Sequence, residues 1–125
     1  MTPNEDPSQP AAEEPAVDFE QLHAAAADDD DLLKELVELY FNQAKEIMAG
    51  LTAALQKGAA KDVDHLAHKL VGASLACGMT AMVVPLRELE ARGRKGDLTG
   101  ADVFMAQTVS RLETVRAAVE AHLKK

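Results

Sequence analysis

Apolar residues recur every three or four positions along most of the chain, which is the spacing of one face of an α-helix. The longest such stripe runs from Leu32 to Leu55, and Gly58 follows as a typical helix end. Five helices are predicted on this basis, over about residues 18–27, 28–58, 60–77, 80–93 and 97–123. No segment alternates with a period of two. The pattern predicts an all-α fold, namely an antiparallel four-helix bundle with a short N-terminal helix.

The predicted boundaries depend on a few turn and capping residues. Thr80 is a plausible N-cap of the fourth helix. The segment 93–96 contains two glycines and is predicted as the turn before the last helix, which Asp97 or Thr99 then caps.

Residues 1–16 lack the helical pattern and are rich in proline, alanine and acidic residues. Such a segment buries too little apolar surface to offset its ordering entropy. We therefore predict a disordered tail over residues 1–16 and one helical domain over residues 17–125.

The charge and the remaining composition narrow the function classes. A formal net charge of −8 disfavours nucleic acid as a partner. No apolar run is long enough to span a membrane, and no signal pattern follows Met1. The single cysteine, Cys77, cannot form an internal disulfide, which is typical of a reducing compartment. We expect a cytoplasmic monomer.

The orientation of His68 is the main functional signal. On a helical wheel centred on Val63, the third helix has one stripe of apolar and small residues. The members of this predicted core stripe are Leu66, Ala67, Leu70, Ala73, Ser74 and Cys77. His68 lies about 140° from Val63 and is expected to face solvent.

The surroundings of His68 are unusual for an exposed helix face. The same half of the wheel holds Asp64, His65, Val71, Gly72 and Leu75. A glycine inside a helix lowers its stability by about 1 kcal/mol relative to alanine. The presence of an exposed glycine at position 72 therefore needs an explanation. Because residues i and i+4 are neighbours, Gly72 leaves the ring of His68 accessible, and Val71 and Leu75 add an apolar rim suited to docking. Alternatively, Gly72 lets another helix pack closely.

The histidines of the third helix allow two other interpretations. His65 lies one turn before His68, but the residue four positions after it is Lys69 rather than glycine. Asp64, His65 and His68 could together approach a metal ion, yet no third histidine or cysteine converges on them. We therefore expect no metal site.

Two motifs resemble the histidine-containing phosphotransfer (HPt) domain of two-component phosphorelays. The first matches the family's histidine motif at Ala67, His68, Leu70, Gly72, Ala73, Ser74 and Gly78. The second, Leu89 to Leu98, matches the pattern Leu-Glu-x-x-Gly-Arg-x-Gly-Asp-Leu. The resemblance spans about residues 66–98 and implies the family's four-helix bundle.

The resemblance also implies a function. His68 would accept a phosphoryl group from the aspartate of one receiver domain and pass it to that of another, on the ring nitrogen farther from the backbone. Its partners would be receiver domains of hybrid histidine kinases and response regulators. The chain would need no cofactor, since Mg²⁺ belongs to the receiver. No glycine-rich phosphate loop is present, so we expect a phosphocarrier without autokinase activity, not an enzyme.

One position departs from the family pattern. The lysine that usually follows the histidine by three residues is Val71 here. Lys69 offers a nearby cation, but it lies about 100° around the helix from His68. This departure leaves open an alternative, a non-catalytic helical adaptor that binds receiver or kinase domains through the face formed by His68 and Gly72.

Overall fold

A computed structural model describes residues 15–124, which form five α-helices and one short 3-10 turn at Thr80–Met82. The helices are α1 (Phe19–Ala25), α2 (Asp30–Lys57), α3 (Ala60–Cys77), α4 (Val83–Lys95) and α5 (Ala101–Leu123). No residue between 15 and 124 belongs to a β-strand. The α3 helix packs against both α2 and α4, and α5 packs against α2 and α4. The predicted four-helix bundle with a short leading helix is confirmed.

The ends of α2 and α3 follow from local chemistry. The side chain of Asp29 accepts hydrogen bonds from the backbone N–H groups of Asp31 and Leu32, which caps α2. Gly58 and Gly78 end α2 and α3 with φ angles of 67° and 74°, in the left-handed region that favours glycine. The predicted bounds of α3 are confirmed.

The predicted turn at residues 93–96 is wrong. The α4 helix continues through Gly93 to Lys95 and ends at Gly96. Gly93 is buried in the contact with α3, where an added Cβ would lie 2.5 Å from the backbone N of Asp64 and 2.7 Å from the backbone O of Ala60. This glycine therefore serves the close approach of two helices rather than a chain reversal.

The start of α5 also differs from the prediction. Gly100, not Asp97 or Thr99, occupies the N-cap position, and no side chain caps this helix. Instead, the Asp97 carboxylate accepts the backbone N–H of Thr99 within the preceding loop.

The bundle core contains one buried polar pair beside the predicted core stripe of α3. The hydroxyl groups of Tyr40 on α2 and Ser74 on α3 lie 2.7 Å apart and satisfy each other. Cys77 is buried nearby. Burial raises the pKa of both the Tyr40 hydroxyl and the Cys77 thiol, so the thiol stays protonated and poorly reactive.

The residues that the structure describes include Pro15 and Ala16, which precede the predicted domain boundary at residue 17. The backbone O of Ala16 accepts the N–H of Ala81 at 3.0 Å, and the hydroxyl of Thr80 donates to the carbonyls of Pro15 and Ala16. Residues 1–14 of the predicted tail lie outside the described residues.

The α1 helix is attached to the end of α5 by aromatic rings. Phe19 stacks on His122 with ring centroids 4.0 Å apart, and the Nε2 atoms of His23 and His122 are 2.8 Å apart.

None of the described helices is both long and apolar enough to cross a membrane.

Candidate functional site

His68 lies on the solvent side of α3, with 73% of its side chain exposed. Its ring is nevertheless fixed, because Nδ1 is 2.5 Å from a carboxylate oxygen of Glu90 on α4. The side chain of Glu90 is only 9% exposed, so a buried acid holds an exposed imidazole. The contact with Glu90 therefore orients the ring through Nδ1, and most of the rest of the ring is exposed to solvent.

Glu90 also joins a short line of charges between α3 and α4. The carboxylate oxygen that contacts His68 also accepts a hydrogen bond from the guanidinium of Arg94 at 3.0 Å. The same guanidinium nitrogen lies 3.5 Å from a carboxylate oxygen of Asp64. A buried carboxylate needs partners to remain charged, and His68 and Arg94 are the partners of Glu90.

The geometry of α4 explains how Glu90 reaches His68. Gly93 brings the backbone of α4 against that of α3 at Asp64. Glu90 lies one turn before Gly93 and His68 one turn after Asp64, so in antiparallel helices the two side chains meet.

This arrangement selects the tautomer of His68. A carboxylate only accepts hydrogen bonds, so the Nδ1 atom that faces Glu90 carries the proton. The neutral ring then has its lone pair on Nε2, the nitrogen farther from the backbone. The site can therefore present a nucleophilic nitrogen to an electrophile that approaches from solvent.

Gly72 has no packing role. Nothing lies within 4 Å of the position that its Cβ would occupy, so the alternative that it admits another helix is wrong. The position is exposed one turn beyond His68. The bare backbone at Gly72 leaves space for a partner that approaches the ring.

Val71 does not form part of an exposed rim, contrary to the prediction. It is only 4% exposed and belongs to the hydrophobic core. The helical wheel places Val71 on the margin of the exposed half, on the same side of His68 as Asp64. Because Gly93 of α4 lies against the backbone of Asp64, we infer that α4 covers this margin. Leu75, in contrast, is 47% exposed and remains available for docking.

The other predicted site residues surround His68 in different ways. Lys69 and His65 are exposed on α3, and Asp64 is partly buried beside Arg94. Neither Lys69 nor His65 takes part in the charge line that holds His68. Within residues 15–124, no group of three or more His, Cys, Asp or Glu side chains is arranged to hold a metal ion.

Glu90 is the residue of the candidate site that the sequence pattern did not identify. It lies in the second motif, which by itself indicates no role for this carboxylate. A signal was present, because Glu90 follows Leu86 by four positions and precedes Gly93 by three, on the face of α4 that is otherwise buried. An acid on a buried helix face needs a partner, and an exposed basic ring on the adjacent helix is one candidate.

Comparisons with known proteins agree with this geometry. No protein with a curated description matches the sequence. The crystal structure of histidine-containing phosphotransfer protein B from Pseudomonas aeruginosa PAO1 is similar, with a TM-score of 0.81 and 26% identity over 91% of this chain and 97% of that one. The family model of the Hpt domain matches residues 35–122, most of the chain. The chain therefore belongs to the Hpt domain family, the histidine phosphotransfer proteins of phosphorelays.

Proposed function

We propose that His68 is the residue that carries the phosphoryl group between receiver aspartates. The observation that supports this assignment is an exposed imidazole whose Nδ1 is held by a buried carboxylate, with Nε2 open to solvent. His65 is also exposed, but no glycine follows it by four residues and it has no part in the charge line with Glu90.

The transfer step follows from this geometry. The lone pair on Nε2 of His68 attacks the phosphorus of the receiver's aspartyl phosphate, an N–P bond forms, and the P–O bond to the aspartate breaks. The receiver carboxylate leaves with the electron pair of that bond. The proton on Nδ1 stays in place, and Glu90 stabilises the positive charge that develops on the ring. Transfer to a second receiver is the same step in reverse.

The partners that we propose are receiver domains of hybrid histidine kinases and of response regulators. Each receiver would supply its own acidic pocket and Mg²⁺, so His68 works without a resident cofactor.

The chain is a phosphocarrier of the Hpt family. We propose that it lacks autokinase activity, because its sequence contains no glycine-rich phosphate loop. The unpaired, buried Cys77 supports the cytoplasm as its compartment.

A pulse–chase experiment tests this function. The protein is incubated with a receiver domain that carries labelled phosphate, separated from it, and then mixed with a second, unlabelled receiver. We expect label to pass to the protein and then to the second receiver. Failure of a folded protein to accept label from several receivers would contradict the proposal and favour the adaptor alternative.

The adaptor alternative depended on the missing lysine at position 71. Because Val71 is buried in the core, this side chain contributes to packing and not to the exposed face around His68. The exposed ring, the open space at Gly72 and the carboxylate behind His68 are all retained. Among residues 15–124, the geometry of the His68 face does not favour binding alone over phosphoryl transfer.

Replacing Gly72 with Leu is expected to slow phosphoryl uptake by about 10- to 100-fold without unfolding the protein. The new side chain enters open space, so it strains nothing within the bundle, but it obstructs the approach of a receiver to the ring. The measurements are the uptake rate, helix content and melting temperature. Ala53→Leu, which adds the same side chain at an exposed position of α2, is the control. Unchanged uptake in Gly72→Leu would show that this glycine does not provide access.

Replacing Glu90 with Gln is expected to slow phosphoryl transfer about tenfold. The amide has the same shape but lacks the charge that stabilises the ring during transfer. Glu88→Gln is a matched control, because Glu88 forms the other Glu–Arg pair of α4, with Arg92 at 2.7 Å, away from His68. Equal transfer rates for the two variants would show that the Glu90 charge has no part in the reaction.

A further inference from the structure

We propose that His23 on α1 and His122 on α5 form a proton-sensitive clasp. The clasp is the hydrogen bond between the two rings, which helps to hold α1 against the bundle and opens when both rings are charged. It involves neither His68 nor the residues that hold His68, so it does not depend on the proposed function.

The two rings meet through a single pair of nitrogen atoms. Nε2 of His23 lies 2.8 Å from Nε2 of His122, and the ring centroids are 5.0 Å apart, so each Nε2 lies on the side of its ring that faces the other. One of these nitrogens donates a proton and the other accepts it with its lone pair. A single positive charge is compatible with this bond, because a charged ring still donates to a neutral one. Two charged rings would place two N–H groups against each other.

The charged residues around the clasp do not remove this conflict. Four of them flank the rings on α1, on the loop after it and on α2, namely Glu20, Asp28, Asp30 and Lys34. Asp30 and Lys34 line the same cavity as both rings. The two positions one turn before His122 on α5 carry no charge. Three acids against one lysine favour one positive charge on the pair. They do not replace the lone pair that each facing N–H needs as its acceptor.

The turn that follows His23 is strained and depends on contacts that hold it. Ala27 and Asp28 have φ angles of 53° and 56°, in the left-handed region that side chains rarely adopt. The backbone N–H of Asp28 donates to the carbonyl O of His23 at 2.9 Å. His23 therefore closes the strained turn with its backbone and the clasp with its ring. Because such conformations persist only where their surroundings fix them, opening the clasp removes one support of the turn.

The α1 helix also depends on the clasp for its attachment. A helix of seven residues is not stable alone, so its contacts with the bundle must hold it. These contacts include the buried side chain of Leu22, the stacking of Phe19 on His122, and the clasp. Since His122 takes part in two of them, we expect opening to loosen α1 and the following loop while the other helices stay folded.

The open arrangement binds one more proton than the clasped one. Once the rings are apart, each can take up a proton below about pH 6.5, the ordinary range of histidine. The equilibrium constant for opening should then rise by up to about tenfold for each pH unit below that range. The clasp is therefore closed at neutral and higher pH and is lost as the pH falls.

Hydrogen–deuterium exchange at pH 7.5 and pH 5.0 tests this inference. Rates are expressed as protection factors, which removes the intrinsic pH dependence of exchange, and the amides of α3 serve as the internal reference. The test variant is His23→Gln, because an amide both donates and accepts and so bonds to His122 in either protonation state. The control is His65→Gln, which removes an exposed histidine outside the clasp.

We expect the protection of α1 to fall about tenfold more than that of α3 between the two pH values, in wild type and in His65→Gln. His23→Gln should keep its α1 protection. If wild type keeps its α1 protection at pH 5.0, or loses no more than His23→Gln does, the inference is wrong.

Nitrogen NMR of the wild-type rings gives a test that needs no variant. We expect one Nε2 of the pair to lack a proton for as long as α1 is protected, and both to carry protons only when that protection is lost. Two fully protonated rings in a protein whose α1 stays protected would overturn the inference. Neither experiment measures phosphoryl transfer, so failure here is distinct from failure of the proposed function.

Discussion

His68→Gln is expected to abolish phosphoryl uptake from a phosphorylated receiver domain while the protein remains folded. Glutamine cannot supply the nucleophilic nitrogen, so no N–P bond forms. The fold should tolerate the change, because 73% of the His68 side chain is exposed and it fills no space in the core. The measurement is labelled phosphate on the protein after incubation with the receiver, together with its melting temperature.

His65→Gln provides the matched control for this experiment. His65 is an exposed histidine one turn away on the same helix, so the two variants differ in position but not in chemistry. His65→Gln should retain full uptake. Receiver binding should persist in His68→Gln, since Leu75 and the space at Gly72 are unchanged. If label survives in His68→Gln and disappears in His65→Gln, then His65 and not His68 carries the phosphoryl group, and the proposed assignment is wrong.

Gly93→Ala is expected to be among the most destabilising single-methyl changes in the chain. The added Cβ would stand 2.5 Å from the backbone N of Asp64 and 2.7 Å from the backbone O of Ala60, and a backbone cannot move aside as a side chain can. The α3 and α4 helices would have to separate. Overpacking of this kind costs about 1–3 kcal/mol, and we expect the upper part of that range. For a domain of this size the melting temperature should fall by roughly 10 °C.

Gly72→Ala is the control for the Gly93 variant, because it makes the same change inside the adjacent helix. Nothing lies within 4 Å of its Cβ position, so only helix propensity acts. Alanine should stabilise the protein there by about 1 kcal/mol. The two glycine variants should thus shift the melting temperature in opposite directions. A neutral or stabilising Gly93→Ala would show that α3 and α4 do not pack as closely as described.

The sequence predicted those features that depend on one helix at a time. The bounds of α3, the exposure of His68 and the burial of Ser74 and Cys77 all follow from a 3.6-residue period and from Gly78 at the helix end. Each is decided by residues near one another in the chain. The helical pattern and the two motifs were therefore sufficient for the fold class and for the family.

The errors arose where two helices meet. The sequence around Gly93 resembles that of a glycine at a helix C-terminus. Its contact with the backbone of α3 shows that it instead allows close packing of two helices. Val71 lies on the margin of the exposed face, and its burial depends on how near α4 comes. The role of Glu90 requires His68 to lie opposite it, 22 residues away in sequence. A helical wheel describes one helix and contains no information on such distances.

Nitrogen NMR of the histidine rings tests the proposed role of His68 most directly. The protein is labelled with nitrogen-15, phosphorylated by a receiver domain, and examined through long-range proton–nitrogen correlations before and after transfer. We expect a proton on Nδ1 of His68 in both states and the phosphoryl group on Nε2 after transfer. A phosphoryl group on Nδ1 of His68, or on His65, would contradict the assignment of Glu90 as the partner of Nδ1 and of His68 as the carrier.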